Sequence, residues 1–137
     1  MKRNGFTLVE LLGVIVIISV IALITLPIIN DILENVRMEA YRDTGYGILD
    51  SANIYITKNL ETSDLNKTFE FPDNYEGLHF KGEVPKGGYL KVDGNKTELF
   101  IYNDKYCASK SLSEEKIKVE KLEDNNGTIT GCGKTIE

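Results

Sequence analysis

Apolar and polar positions divide the chain into three stretches. From Leu11 to Asn30 no residue is charged, and Leu11 to Ile29 is apolar on every side. At about 1.5 Å of rise per residue, a helix from Phe6 to Asn30 spans roughly 35–40 Å, enough to cross a bilayer. Beyond it the apolar positions narrow to one face. Ile29, Ile32, Leu33, Val36 and Ala40, then Ile48, Leu49, Ala52, Ile56 and Leu60, recur mainly at three- and four-residue spacing, with Asp31, Glu34, Arg37, Glu39 and Asp50 between them. The pattern predicts one helix from Phe6 to about Leu60, apolar all round in its first half and one-sided in its second. Pro27 removes a helix hydrogen bond and permits a kink or local melting. Gly45 and Gly47 weaken the middle of the helix and predict a bend there.

After Leu60 the period changes. Glu61 to Asn66 reads as a polar linker. Tyr89–Asp93, the turn Gly94-Asn95 and Glu98–Tyr102 predict a hairpin. Lys105–Ser109 continues its second strand or opens another. Lys116–Leu122 alternates cleanly and predicts a further strand, and Thr128–Thr130 a short last one. An antiparallel sheet against the amphipathic helix face is the economical arrangement, because each supplies the apolar partner the other lacks. The expected fold is therefore α+β, a long N-terminal helix packed on a small antiparallel β-sheet head. Its segments are a leader at 1–5, an apolar membrane or filament-core helix at 6–30, an amphipathic half at 31–60 and a β-rich head at 61–137.

Composition sharpens this outline. The 137 residues are 42% hydrophobic and 27% charged, averages that conceal the contrast between the uncharged stretch and an acidic remainder. A net charge of -5 gives no electrostatic support for binding a phosphate backbone, so no direct nucleic-acid partner is expected. Lys2 and Arg3 precede the apolar run, which leaves the N-terminus cytoplasmic and the rest outside. The run is longer than a secretory h-region, and no small-x-small cleavage site follows it. His79, the single histidine, lies among scattered acids that form no triad or metal spacing, so neither an enzyme nor a cofactor is expected. Tyr75, Tyr89, Tyr102 and Tyr106 either form an adhesive surface or, as strand tyrosines usually do, pack against neighbours. Three Asn-x-Thr triplets, at Asn66, Asn95 and Asn126, are attributed to chance. Cys107 and Cys132 fit no zinc pattern. If the polar part is exported a disulfide is the default, worth roughly 3–4 kcal/mol in the chain-entropy model; two buried free thiols are the alternative.

The N-terminus carries the specific chemistry. Gly5 gives a flexible bond without a side chain, suited to a protease at a membrane surface. Glu10 stands at the start of the apolar stretch, where a carboxylate is costly unless it is paired or interfacial. Cutting after Gly5 would remove both N-terminal cations and create one amine on Phe6, opposite in charge to Glu10. The run Lys2-Arg3-Asn4-Gly5, then Phe6-Thr7-Leu8-Val9-Glu10-Leu11-Leu12 and an apolar helix, resembles the class III signal of type IV prepilins over roughly the first thirty residues.

That resemblance implies cleavage between Gly5 and Phe6 by a membrane prepilin peptidase and methylation of the new Phe6 amine. It also implies pairing of Glu10 with that amine, commonly on a neighbouring subunit, and loosening of the helix near Pro27 during polymerisation. The partners it implies are other copies of the chain, a membrane assembly platform and, indirectly, a motor ATPase. The precursor would sit in the cytoplasmic membrane and the product in a surface filament. The Tyr106-Cys107-Ala108 strand and the late Cys132 look like pilin heads, in which a cysteine pair often ties the C-terminal loop. A major pilin is the leading expectation. Its rivals are a minor pilin or competence-type pseudopilin serving DNA uptake, and an uncleaved, signal-anchored surface binding domain.

Overall fold

The computed structural model describes residues 4–61 and 65–136, so Lys2 and Arg3 of the leader and the centre of the expected linker lie outside the described residues. Among the described residues one helix, α1 (Leu8–Lys58), is followed by eight strands. These are β1 (Lys67–Phe71), β2 (Gly87–Asp93), β3 (Lys96–Tyr102), β4 (Tyr106–Lys110), β5 (Lys118–Lys121), β6 (Glu123–Asn125), β7 (Thr128–Gly131) and β8 (Lys134–Ile136). The chain divides into two compact units, with the boundary between Val36 and Arg37 inside α1.

The first unit is the apolar part of α1. Its large side chains, from Leu8 through Val36, are exposed in the single chain. With no sheet over them, every turn of this helix needs cover from lipid or from another protein surface.

The second unit is the head. β1 to β5 form one antiparallel sheet in which each strand lies beside its neighbour in sequence. Alternation aims Phe69, Phe71, Leu90, Val92, Leu99, Ile101, Ala108 and Val119 at one face, and these join Tyr41, Ile48, Leu49, Ala52 and Ile56 of α1 in a single core. Burying one such aliphatic side chain stabilises a fold by about 1.5–3 kcal/mol, so this helix–sheet contact is what makes the head a domain. β6, β7 and β8 form a separate three-stranded antiparallel sheet.

The predicted hairpin is present, with Asp93 opposite Lys96 across the two-residue Gly94-Asn95 turn. β4 opens a new strand and does not continue β3, because the Asn103 side chain accepts the N–H groups of Lys105 and Tyr106 and turns the chain. The strand expected over Lys116–Leu122 contracts to Lys118–Lys121, and the short Thr128 strand sits at the centre of its own sheet. β1, β6 and β8 had no clear signal; β6 and β8 lack an apolar alternation altogether. The one-sided helix pattern also needs correction. Ile32, Leu33, Val36 and Leu60 are exposed, and the buried stripe runs from Tyr41 to Ile56. The helix passes Gly45 and Gly47 unbroken. Gly45 serves close approach: an added Cβ would lie 2.9 Å from Ile117 Cδ1.

Gly88 imposes the strictest local constraint. Its φ is +122°, and an added Cβ would sit 2.7 Å from Ile101 Cα and closer still to the Phe100 carbonyl oxygen. Backbone on the central partner strand cannot yield to it. Gly88→Ala is expected to destabilise the head by about 3 kcal/mol or more, measured as a lower urea midpoint for the full chain in detergent. An unchanged midpoint would show that the β2–β3 pairing tolerates a side chain there.

Candidate processing and assembly site

Helix α1 begins where Thr7 permits it. The Glu10 N–H donates to Thr7 Oγ1 at 3.3 Å, and the Thr7 N–H donates to Glu10 Oε2 at 3.0 Å. This reciprocal pair is a capping box, which satisfies two backbone donors that a helix start otherwise leaves open. The first helical bond follows from Leu11 N–H to the Thr7 carbonyl at 3.2 Å. The carboxylate also lies in the first turn, where the helix dipole favours negative charge. In the single chain Glu10 is thus held by its own helix start. The Thr-x-x-Glu signature before an apolar run is visible in the sequence, yet the reading of Glu10 as an assembly residue passed over it.

Upstream of this cap the backbone is irregular. Gly5 and Phe6 lie outside the helix and are exposed. An added Cβ on Gly5 would meet nothing within 4 Å, so no contact among the described residues requires glycine at this position.

Downstream, the few hydroxyls of the apolar segment bond to their own helix. Ser19 Oγ donates to the Ile15 carbonyl at 2.6 Å and Thr25 Oγ1 to that of Ile21 at 2.8 Å. This leaves those donors satisfied where water is absent. Pro27 lies inside α1, and the helix is continuous through it. Having no N–H, it leaves the Leu23 carbonyl without its usual helical donor. The helix is long and apolar enough to cross a membrane.

With this geometry in place, comparison with known proteins is specific at one end of the chain. The family model described as the prokaryotic N-terminal methylation motif matches residues 1–26. No curated protein and no solved structure matches the chain. The motif supports a class III signal prepilin, a type IV pilin-like protein, and the long apolar helix and α+β head match a pilin-like fold. Processing by a prepilin peptidase is implied by the same motif.

The head gathers the remaining candidate residues differently. Cys107 and Cys132 are joined by a disulfide, 25 residues apart in sequence, with Cα atoms 6.1 Å apart. Glu120 lies close to both sulfurs, but these are committed to each other. His79 is exposed in a shallow depression with Asp73, Tyr75 and Glu76. The tyrosines pack: Tyr106 against Tyr41, Tyr75 against Phe71 and Phe80, and Tyr89 and Tyr102 on either side of Phe100.

Tyr41, absent from the sequence-level core, is the most perturbed group. Its hydroxyl is buried without a hydrogen-bond partner among the described residues. Burial, and secondarily the negative charge of Glu83, push its ionisation well above the ordinary value of 10.0. The folded head therefore holds the proton more tightly than the unfolded chain. Its contribution to stability is complete below pH 10.0 and is lost as the pH rises above that value toward the folded-state pKa. Tyr41→Phe is expected to cost little at neutral pH and to flatten the alkaline decline in urea midpoint above about pH 10. An equally steep decline in the variant would assign the effect to other groups.

Proposed function

We propose that this chain is the repeating structural subunit, a major pilin, of an extracellular type IV pilus-like filament. The observation that carries the reading is the methylation motif on residues 1–26, within a helix whose large apolar side chains from Leu8 through Val36 are exposed in the single chain. In this scheme the precursor lies in the cytoplasmic membrane with Lys2 and Arg3 inside and the head outside. The peptidase hydrolyses the Gly5–Phe6 bond, which the Thr7 cap keeps outside the helix. The new Phe6 amine, once methylated, provides a positive charge beside Glu10.

Polymerisation then moves the apolar helix from lipid into a bundle of identical helices. That transfer yields little hydrophobic gain, so side-chain packing and charge pairing must supply the preference. Within the bundle Glu10 leaves its cap and pairs with the Phe6 amine of a neighbouring copy. A charge left unpaired in such a core costs several kcal/mol, which penalises wrong staggers more than the pair rewards the right one. Pro27 supports local loosening of the helix as subunits slide past one another. The small gain also accounts for dedicated machinery, a membrane platform and an ATP-driven motor. In this reading the role of the chain is structural.

Two measurements test the scheme. N-terminal mass spectrometry of the protein from its own cells is expected to find a chain starting at N-methylated Phe6. A chain retaining Lys2 to Gly5 in cells with an active peptidase supports a lone anchored domain instead. Glu10→Ala is expected to leave a stable, processed subunit and to cut sheared filament yield by about tenfold or more, in line with an unpaired core charge. Wild-type yield from that variant would refute the register role of Glu10. An abundance in sheared filaments far below that of another subunit would make this chain a minor pilin.

A further inference from the structure

Between Pro27 and Val36, where the first unit ends, the helix changes character. At about 100° of turn per residue, Ile28, Ile29, Ile32, Leu33 and Val36 fall within an arc of about 140°, and Asn30, Asp31, Glu34 and Asn35 fill the opposite arc. From Leu11 to Leu26 there is no such division, and the helix is apolar on every side. Ile32, Leu33 and Val36 are 54%, 45% and 57% exposed, so none of the described residues covers the stripe.

The stripe lies where a spanning helix leaves the bilayer. From Leu8 to Val36 the exposed apolar side chains extend over roughly 43 Å at about 1.5 Å per residue, against a hydrocarbon core of about 30 Å. With Glu10 at the cytoplasmic interface, that core ends near Asn30 and Asp31, where the apolar run stops. An upright helix would hold Ile32, Leu33 and Val36 beyond it, and tilt takes up only part of the excess. The turn that precedes the stripe is continuous but weakened in two ways. Pro27 leaves the Leu23 carbonyl without its helical donor, and Thr25 Oγ1 donates to the Ile21 and Ala22 carbonyls at 2.8 and 3.3 Å. Hydroxyls bonded back in this way bend helices, and together with Pro27 they make this turn the place where α1 gives way.

We propose that, before assembly, α1 bends at Pro27 and rests the Ile28–Val36 stripe in the headgroup region of the outer leaflet, as an interfacial amphipathic helix. The apolar side chains reach the acyl boundary, while Asp31 and Glu34 face water. Anionic headgroups repel those two carboxylates, so apolar burial holds the segment and a neutral lipid surface suffices. The stripe then stays covered until other copies of the chain replace the lipid. The inference rests on the reading of the precursor as membrane-held.

The test places a thiol-linked fluorophore on single cysteines, introduced as Leu33→Cys, Val36→Cys, Glu34→Cys and Asn35→Cys, in the full chain with its disulfide oxidised. Each is reconstituted in phosphatidylcholine vesicles with iodide on both sides. Iodide quenching is expected to be about threefold or more weaker at the Leu33 and Val36 positions than at Glu34 and Asn35, at every lipid-to-protein ratio. Adding Pro27→Ala is expected to raise quenching at Leu33 and Val36 to that of their neighbours. Equal quenching at all four positions with Pro27 in place would overturn the proposal, as would an unchanged pattern after Pro27→Ala. Protection that fades as lipid is added would overturn it too, by assigning the cover to a second copy. The vesicles hold neither peptidase nor filament, so a failure here is distinct from a failure of the subunit reading, which the N-terminal mass decides.

Discussion

An apolar helix surface that none of the described residues covers is the constraint on which the rest depends. Between Arg3 and Asp31 the sequence places one charge, Glu10, and the side chains around the helix from Leu8 to Val36 are exposed in the single chain. Such a surface is compatible with lipid and with close-packed copies of itself, and incompatible with water. The proposed life of the protein is a passage from the first cover to the second. In the proposed scheme Glu10 makes that passage selective. The Thr7 N–H gives its carboxylate one partner before a neighbour arrives, so the scheme has it tolerated near lipid and still in need of a charge partner in a helix bundle.

The same helix organises the head by different means. From Tyr41 to Ile56 it presents a buried stripe of mostly small and aliphatic residues, and Gly45 allows Ile117 to approach. The meander of β1 to β5 closes over that stripe with one face, which leaves its other face short of cover. The C-terminal sheet meets part of that need with a disulfide and a lysine laid across two rings. The two faces of one sheet are thus held by unlike interactions: broad apolar burial toward the helix, and a local covalent tie toward solvent.

What was legible in the sequence follows from where the signal is strong. Leu11 to Ile29 announces its helix by composition alone, and Gly94-Asn95 between alternating strands announces its hairpin. Gly5, Phe6 and Glu10 lie within the matched methylation motif, and such a signal is legible because it is read as local sequence. Less was visible where tertiary contact decides. Tyr41 reads as a polar helix residue until Tyr106 packs against it, and Phe100 reads as an ordinary strand residue until Lys134 covers it. Ile32, Leu33 and Val36 obey the amphipathic period yet remain exposed, because periodicity shows that a face seeks a partner without saying which partner. β6 and β8 are polar strands paired with β7 and tethered by Cys132, features that no alternation pattern records.

The central claim is that copies of this chain meet through their apolar helices with Glu10 facing a neighbour's Phe6 amine. Electron cryomicroscopy of filaments sheared from the cells that make them, at side-chain resolution, tests it most directly. The account predicts a core of helices built from the Phe6–Ile29 segment, with the Glu10 carboxylate within hydrogen-bond reach of a methylated Phe6 nitrogen on an adjacent subunit. A core built from other segments, or Glu10 exposed to solvent on the filament surface, would contradict it.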